Sequence, residues 1–171
     1  MSPSPLYLRL GLCLALASGA AAQTSFPESE PNGTRAQSTL VNGLAGNDSI
    51  TGTSTGTSTT SGSTLVTTLD MYRVKTSALP LGIYRHTLTI TTAVAGHTGT
   101  IRGLNQTSGV VSTTDVAFQT SSTSTTPPRS NTWYGFGKQE EIYYSVTGSG
   151  STTAAYASTL TTQPVSPIPV A

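Results

Sequence analysis

Cysteine is nearly absent from this sequence, since Cys13 is the only one in 171 residues. It lies in an apolar N-terminal stretch that we expect to be removed on export. The mature chain then has no thiol, which excludes disulfide bonds and cysteine-based zinc sites. Its stability must come from buried side chains, hydrogen bonds or a metal ion held by oxygen ligands.

Charged residues are also scarce. Asp, Glu, Lys and Arg make up 9% of the chain, with 8 basic and 7 acidic residues. The basic residues form no patch along the sequence, which argues against nucleic acid or an anionic membrane surface as a partner.

Groups suited to catalysis are few. The chain has two histidines, and His86 falls in the inward phase of a predicted strand, where a hydrogen-bonded interior role is the ordinary one. Glu140 and Glu141 are adjacent, so on a strand they face opposite sides and cannot act as a carboxylate pair. There is no phosphate loop, zinc signature or triad spacing. A Ser–His–Asp group assembled only by folding stays open, but the sequence predicts a protein that is not an enzyme.

Residues 1–22 have the pattern of a secretory signal peptide. Arg9 supplies a weak positive start, residues 10–17 form an apolar run too short to span a bilayer, and residues 20–22 are a small-residue cleavage site. We expect a chain that is secreted, or held at the cell surface, with no membrane span after cleavage.

Serine and threonine make up roughly a third of the residues, a share also found in mucin-like disordered stalks. Here, however, threonine alternates with apolar and aromatic residues. Its β-branched side chain suits the solvent face of a strand. The alternation therefore favours a folded all-β domain over a stalk.

Short segments with period-two alternation follow one another from residue 38 to 162, separated by Gly, Asn, Asp and Pro turn signals. About eight such segments without helical periodicity predict an antiparallel β-sandwich, jelly-roll-like in character, with a closed barrel as the alternative. The inward positions of the strongest segments give the expected core: Tyr72, Val74, Leu88, Ile90, Ile142, Tyr144 and Val146.

Three regions carry a different pattern. Residues 23–37 are expected to form an extended N-terminal segment. Residues 51–63 are a Gly/Ser/Thr repeat without apolar residues until Leu65, which predicts either a flexible loop or a solvated edge. Residues 163–171 contain closely spaced prolines and are expected to form a Pro-rich tail or linker.

The densest set of oxygen ligands lies in residues 26–34. Pro27 and Pro31 favour an extended backbone, and alternate side chains of an extended chain leave on one side. Glu28, Glu30 and Asn32 should therefore line up and form part of a cation site. The alternative is a solvated linker that ends in an Asn-Gly turn.

Several motifs resemble the bacterial pre-peptidase C-terminal (PPC) domain family. They are Glu30-Pro31-Asn32-Gly33-Thr34, Asp70-Met71-Tyr72-Arg73-Val74 and Tyr143-Tyr144-Ser145-Val146-Thr147-Gly148. The resemblance spans nearly all of the expected mature chain. It implies a secreted β-sandwich module of the kind appended to exported bacterial enzymes.

The collagen-binding modules of bacterial collagenases are similar over the segment that starts at Glu28. In that group a Glu-x-Glu-Pro-Asn-Asp segment binds Ca²⁺ together with an acidic residue before an Asp-x-aromatic strand. The resemblance implies Ca²⁺ ligands at Glu28, Glu30, Asn32 and Asp70. Gly33 stands where that group has an aspartate, which implies a weaker site.

Trp133, Tyr134 and Phe136 form an aromatic stretch that would make a ligand platform if all three were exposed. We expect a non-catalytic module that binds an extracellular polymer, either glycan or protein, or supports a neighbouring domain. The alternative is a structural cell-surface or adhesion component.

The signal sequence gives the first prediction. Material secreted by the native host should begin at Gln23, because the small residues at 20–22 precede it. N-terminal sequencing of the secreted protein measures this directly. A secreted form that still carries Met1 or Ser2 would contradict the prediction.

Overall fold

The structure is a computed structural model that describes residues 22–54, 56–59, 64–67, 69–92, 96–107, 110–122, 130–148 and 154–165. The predicted signal peptide, apart from Ala22, and residues 166–171 of the predicted tail lie outside these ranges. Within them, no helix is both long enough and apolar enough to cross a membrane.

The described residues form twelve strands and one short 3₁₀ helix. In chain order these are β1 (Ser25–Pro27), η1 (Arg35–Gln37), β2 (Thr39–Leu44), β3 (Ser49–Ser54), β4 (Gly56–Thr59), β5 (Thr64–Thr67), β6 (Leu69–Thr76), β7 (Tyr84–Thr92), β8 (Thr98–Thr107), β9 (Val110–Ser122), β10 (Ser130–Gly135), β11 (Glu141–Thr147) and β12 (Ala154–Pro164).

Two five-stranded sheets make up the body of the fold. Sheet A has the order β1-β3-β12-β7-β10 and sheet B the order β2-β6-β11-β8-β9, while β4 and β5 pair separately. The predicted all-β sandwich is confirmed. Both sheets are mixed rather than purely antiparallel, because β1 pairs with β3 and β2 with β6 in parallel. The strands are also more numerous than the eight expected.

The core lies between the inner faces of the two sheets. In sheet B, Tyr72 on β6 is opposite Tyr144 on β11, and in sheet A, Leu160 on β12 is opposite Leu88 on β7. Period-two alternation turns every second residue of these strands inward. The buried cluster contains Val41, Leu44, Ile50, Tyr72, Val74, Leu88, Ile90, Tyr144, Val146, Tyr156 and Leu160.

Six of the seven predicted core residues are fully buried, and Ile142 is only partly buried while it packs against the cluster. Period-two alternation predicts that Met71, next to the inward Tyr72, points to the outer face of β6, and its side chain is nevertheless buried. The Met71 amide donates to the carbonyl of Asn32 at 2.9 Å, so the N-terminal segment lies against this part of β6. The N-terminal segment, which is distant in sequence, thus covers the outer side of β6 at Met71.

The three regions with a different sequence pattern depart from expectation, the first by a shorter extended segment and the other two by additional strand structure. The N-terminal segment is a strand only over Ser25–Pro27 and turns at Arg35–Gln37, because Pro27 and Pro31 lack the amide protons that a longer strand would need. In the Gly/Ser/Thr repeat, β4 pairs with β5, a hairpin rather than a loop. At the predicted tail, β12 continues to Pro164.

The core register gives the second prediction. Leu88→Ala or Ile90→Ala should lower the free energy of unfolding by about 2–5 kcal/mol, because each removes a fully buried side chain. Thr161→Ala is the matched control: it is an exposed residue of β12, and its replacement should cost under about 1 kcal/mol. Chemical denaturation measures all three. A loss of unfolding free energy below about 0.5 kcal/mol for Leu88→Ala would mean that Leu88 points away from the core.

Candidate metal centre and aromatic surface

Glu28 is held at the edge of sheet A. The Glu28 amide donates to the carbonyl of Thr51 at 2.8 Å, and its Oε1 accepts a hydrogen bond from the Thr53 amide at 2.8 Å. Gly52 lies between these two β3 residues. A Cβ at Gly52 would sit 2.6 Å from Glu28 Oε2 and still closer to the Tyr156 hydroxyl. Only glycine therefore leaves room for the Glu28 carboxylate here.

Glu30 and Asn32 are fixed by a local turn that docks on sheet B. The Glu30–Pro31 peptide bond is cis, and the Asn32 amide donates to Glu30 Oε2 at 2.9 Å. Asn32 is fully buried, and its side-chain amide donates to Thr39 Oγ1 at 3.4 Å. The turn thus points the Glu30 carboxylate toward the same region as Glu28.

Asp70, on β6 of sheet B, supplies the third carboxylate. Its side chain is 1% exposed, and its Oδ2 accepts a hydrogen bond from the Tyr156 hydroxyl at 2.7 Å. The Tyr72 hydroxyl in turn hydrogen-bonds the Tyr156 hydroxyl. Burial raises the pKa of both tyrosines, so both hydroxyls keep their protons and can donate.

The three carboxylates converge in space. One oxygen from each of Glu28, Glu30 and Asp70 lies within 4.8 Å of the other two. Burial raises the pKa of the Asp70 carboxyl from 3.8 to about 7, and the charges of Glu28 and Glu30 add to the rise while the Tyr156 hydrogen bond opposes it. Without a cation, the cluster therefore favours a proton on Asp70 near neutral pH.

The donor set fits a hard cation such as Ca²⁺. Glu28 Oε2 and Asn32 Oδ1 are buried and accept no hydrogen bond from the described residues, apart from the one that a protonated Asp70 would donate to Glu28. Buried acceptors without a partner are unfavourable, and a cation held among the carboxylates would satisfy the one at Glu28. All candidate ligands are oxygen atoms, the type that Ca²⁺ prefers, and carboxylate and amide oxygens are both common in Ca²⁺ sites.

The sequence predicted these residues, and folding brings the acids together from two distant parts of the chain. Metal binding by Glu28, Glu30, Asn32 and Asp70 stays a prediction. Sequence reasoning missed Gly52 and Tyr156, which shape the site from sheet A. A period-two pattern assigns residues to a face, but it does not show which strand supplies the neighbour.

The predicted platform of Trp133, Tyr134 and Phe136 does not form as a set. Tyr134 and Phe136 are 63% and 65% exposed, whereas Trp133 packs against the core and stacks on His86 with ring centroids 5.2 Å apart. Adjacent strand residues face opposite sides. Trp133 therefore turns inward, while Tyr134 and Phe136 remain at the surface.

Both histidines are buried. His86 Nδ1 hydrogen-bonds Thr162 Oγ1 at 3.0 Å, and burial lowers the pKa of its imidazole although Glu140 opposes this. The predicted interior role of His86 is confirmed. His97 packs against the Tyr156 ring at 5.7 Å between centroids.

Glu140 and Glu141 have different neighbours, although only Glu141 lies in β11 and Glu140 directly precedes the strand. Glu140 accepts a hydrogen bond from the Phe136 amide at 2.6 Å, and Glu141 pairs with Arg73 at 2.8 Å. The expectation that these two carboxylates do not form a pair is confirmed.

No protein-family model matches the chain, and no curated protein sequence matches it significantly.

The buried carboxyl of Asp70 gives the third prediction. Its pKa is higher in the folded protein, about 7, than its ordinary value of 3.8. Its contribution to stability is therefore fully present below pH 3.8 and is lost as the pH rises to about 7. In chelator, the stability of the wild type relative to Asp70→Asn should fall across this range and level off above it.

Chemical denaturation of both proteins at closely spaced pH values measures this difference. Comparing the two proteins at each pH cancels the contribution of His86, whose lowered pKa has the opposite effect on stability. A difference that does not change with pH would contradict the pKa assigned to Asp70.

Proposed function

We propose that this chain is a secreted, non-catalytic β-sandwich module that binds an extracellular polymer, with Ca²⁺ holding its N-terminal segment in place. The module would belong with the PPC-like domains that its motifs resemble. Each part of this proposal is supported by a separate feature of the described residues.

The observation that carries polymer binding is the distribution of exposed apolar side chains. Among the side chains that the structure describes, five of the six large ones lie where β7, β10 and β12 come together at one end of sheet A: Leu81, Ile83, Tyr134, Phe136 and Val165. Hydrogen bonds from Val165 N to Ile83 O at 2.8 Å and from Gly82 N to Phe136 O at 3.3 Å join the three segments. We name these five side chains the apolar end. Contiguous exposed apolar surface of this kind marks interaction sites.

The apolar end also contains a groove. Its volume is about 390 Å³, and it is lined by Leu81, Gly82, Ile83, Tyr84, Pro164 and Val165. The exposed rings of Tyr134 and Phe136 suit stacking against sugar rings or peptide side chains. The aliphatic lining favours a second candidate, a neighbouring protein domain or an adhesion partner docked at the same place.

The absence of catalysis is proposed from the burial of the titratable groups. His86 and His97 are 1% and 2% exposed, so neither can reach a substrate in solution. The exposed acid Glu141 is already paired with Arg73. The cluster of Glu28, Glu30 and Asp70 fits a cation better than it fits acid–base chemistry.

Calcium has a structural role in this proposal. Glu28 is anchored to sheet A through Thr53, and Asp70 lies on sheet B. A cation between them would join the two sheets and remove the repulsion among the carboxylates. The aspartate missing at Gly33 suggests a Kd of about 10⁻⁴–10⁻³ M, at the weak extracellular end.

Polymer binding gives the fourth prediction. Tyr134→Ala and Phe136→Ala should each weaken binding about tenfold or more, because each removes an exposed ring from the apolar end. Sedimentation with insoluble glycans and with gelatin measures binding. The matched control is Leu40→Ala, since Leu40 is 60% exposed but lies on β2 of sheet B. Binding that is lost equally in the control, or absent for every polymer, would overturn the proposal.

Calcium gives the fifth prediction. Ca²⁺ at a tenfold excess over its Kd should stabilise the mature protein by about 1.4 kcal/mol and raise its Tm. Glu30→Gln and Asp70→Asn should abolish the rise, while Glu141→Gln, which changes an acid elsewhere, should keep it. Melting curves with Ca²⁺ and with chelator measure this. An unmoved wild-type midpoint at 10 mM Ca²⁺, about tenfold above the weakest expected Kd, excludes the site. An equal rise in all variants would exclude these ligands.

A further inference from the structure

The outer face of sheet A carries one charged side chain close to the exposed rings. β10 pairs with β7 so that Tyr134 is opposite Arg85, and β7 pairs with β12 so that Arg85 is opposite Gln163. Tyr134, Arg85 and Gln163 thus form a row across three strands, about 4.8 Å apart from strand to strand. All three are exposed to solvent.

The charge of Arg85 is not compensated by the described residues. Its hydrogen-bond partner is the neutral side-chain amide oxygen of Gln163. Arg73 on sheet B is the contrasting case, because its Nε and Nη2 donate to the two carboxylate oxygens of Glu141 at 2.8 and 3.0 Å. Arg85 is therefore oriented by Gln163 but keeps donors and a full positive charge available to a ligand.

The rest of this face is neutral and rich in hydroxyl groups. Thr87 hydrogen-bonds Thr132 at 3.2 Å, and Thr89 hydrogen-bonds Ser130 at 2.8 Å. Among the outward residues of β7, β10 and β12 that the structure describes, Arg85 is the only one with a charge. A ligand that lies along this face meets hydroxyls, one aromatic ring and one guanidinium.

We propose that the polymer bound at the apolar end is a polysaccharide that contains carboxylated sugars, an inference that rests on the polymer-binding function proposed above. The apolar face of a sugar ring would stack on Tyr134, and its carboxylate would pair with the guanidinium of Arg85. Sugar hydroxyls suit the hydroxyl-bearing surface beside them. An acidic peptide would use the charge of Arg85 but would leave this hydroxyl surface without a matching partner.

Charge complementarity decides between acidic and neutral polysaccharides. A neutral glycan would leave the guanidinium charge without a counter-charge, whereas a uronate supplies a planar carboxylate that matches the two-pronged geometry of arginine. Hydrogen bonds to charged groups of this kind contribute about ten- to hundredfold in affinity. Arg85 would thus set the specificity, and the rings would supply the general affinity for sugar.

Binding of two oligosaccharides to the full mature chain tests the inference: oligogalacturonides too short to gel with Ca²⁺, and the same oligomers fully methyl-esterified. The wild type should bind the acidic oligomers about tenfold or more tightly than the esters. Arg85→Gln should remove that preference by weakening the binding of the acidic oligomers to about the level of the esters. Arg85→Lys should keep part of the preference for the acidic oligomers, because lysine retains the positive charge but lacks the two-pronged guanidinium.

Arg73→Gln is the matched control, since it removes the same charge from sheet B and should bind like the wild type. Equal binding of acid and ester, dependent on Tyr134, would overturn the uronate inference and leave polymer binding intact. An Arg73→Gln loss as large as that of Arg85→Gln, or equally tight binding of polyglutamate, would also overturn it. Failure to bind these oligomers and every other polymer tested would overturn both proposals. Melting curves confirm that each variant is folded.

Discussion

The carboxyl group of Asp70 lies where the apolar core meets the acidic cluster. The positions of Tyr156 and of the N-terminal segment both depend on it. Its side chain is buried between the sheets and hydrogen-bonded to Tyr156, which is bonded in turn to Tyr72. Glu28 and Glu30 approach from the N-terminal segment. Three carboxylates this close repel one another unless a proton or a cation lies among them. Either of the two would relieve the repulsion among the carboxylates of the N-terminal segment and Asp70.

Small residues and prolines make this arrangement possible. Gly52 leaves the space that both Glu28 and Tyr156 occupy, since a Cβ there would overlap their oxygen atoms. Pro27 ends the short strand β1, after which the chain leaves the edge of sheet A and reaches sheet B at Asn32. The segment that carries two of the acids thus bridges the two sheets in a domain that has no disulfide to join them.

The two outer faces of the sandwich differ in chemistry. On sheet B, Arg73 pairs with Glu141, and the Arg35 guanidinium lies 4.0 Å from the centre of the Tyr143 ring, so charges there meet partners. On sheet A, hydroxyl groups pair with one another across the strands, and Arg85 stands beside Tyr134 with a neutral partner. The charged groups named on sheet B have partners on that face, whereas sheet A has exposed aromatic rings and a guanidinium without a carboxylate partner. In the proposed function, this difference is the reason for placing the polymer on sheet A.

Much of the fold and part of the candidate site could be predicted from the sequence, because they depend on local pattern. Period-two alternation predicted the all-β class and six core residues, and the adjacency of Glu140 and Glu141 predicted that they do not form a pair. The same rule applied to Trp133 and Tyr134 would have separated them. The N-terminal motif also identified Glu28 and Glu30, and the resemblance to collagen-binding modules added Asp70 as an acid that could meet them.

What only the tertiary structure decided depends on contacts between distant residues. Alternation does not say which strands pair, so it could not show that β1 lies parallel to β3, that the N-terminal segment buries Met71, or that β10 forms the edge of sheet A. It could not show Tyr156 beside Asp70, or Arg85 between Tyr134 and Gln163. Strand pairing is set by the packing of the whole core, and a pattern confined to a few neighbouring residues carries no information about it.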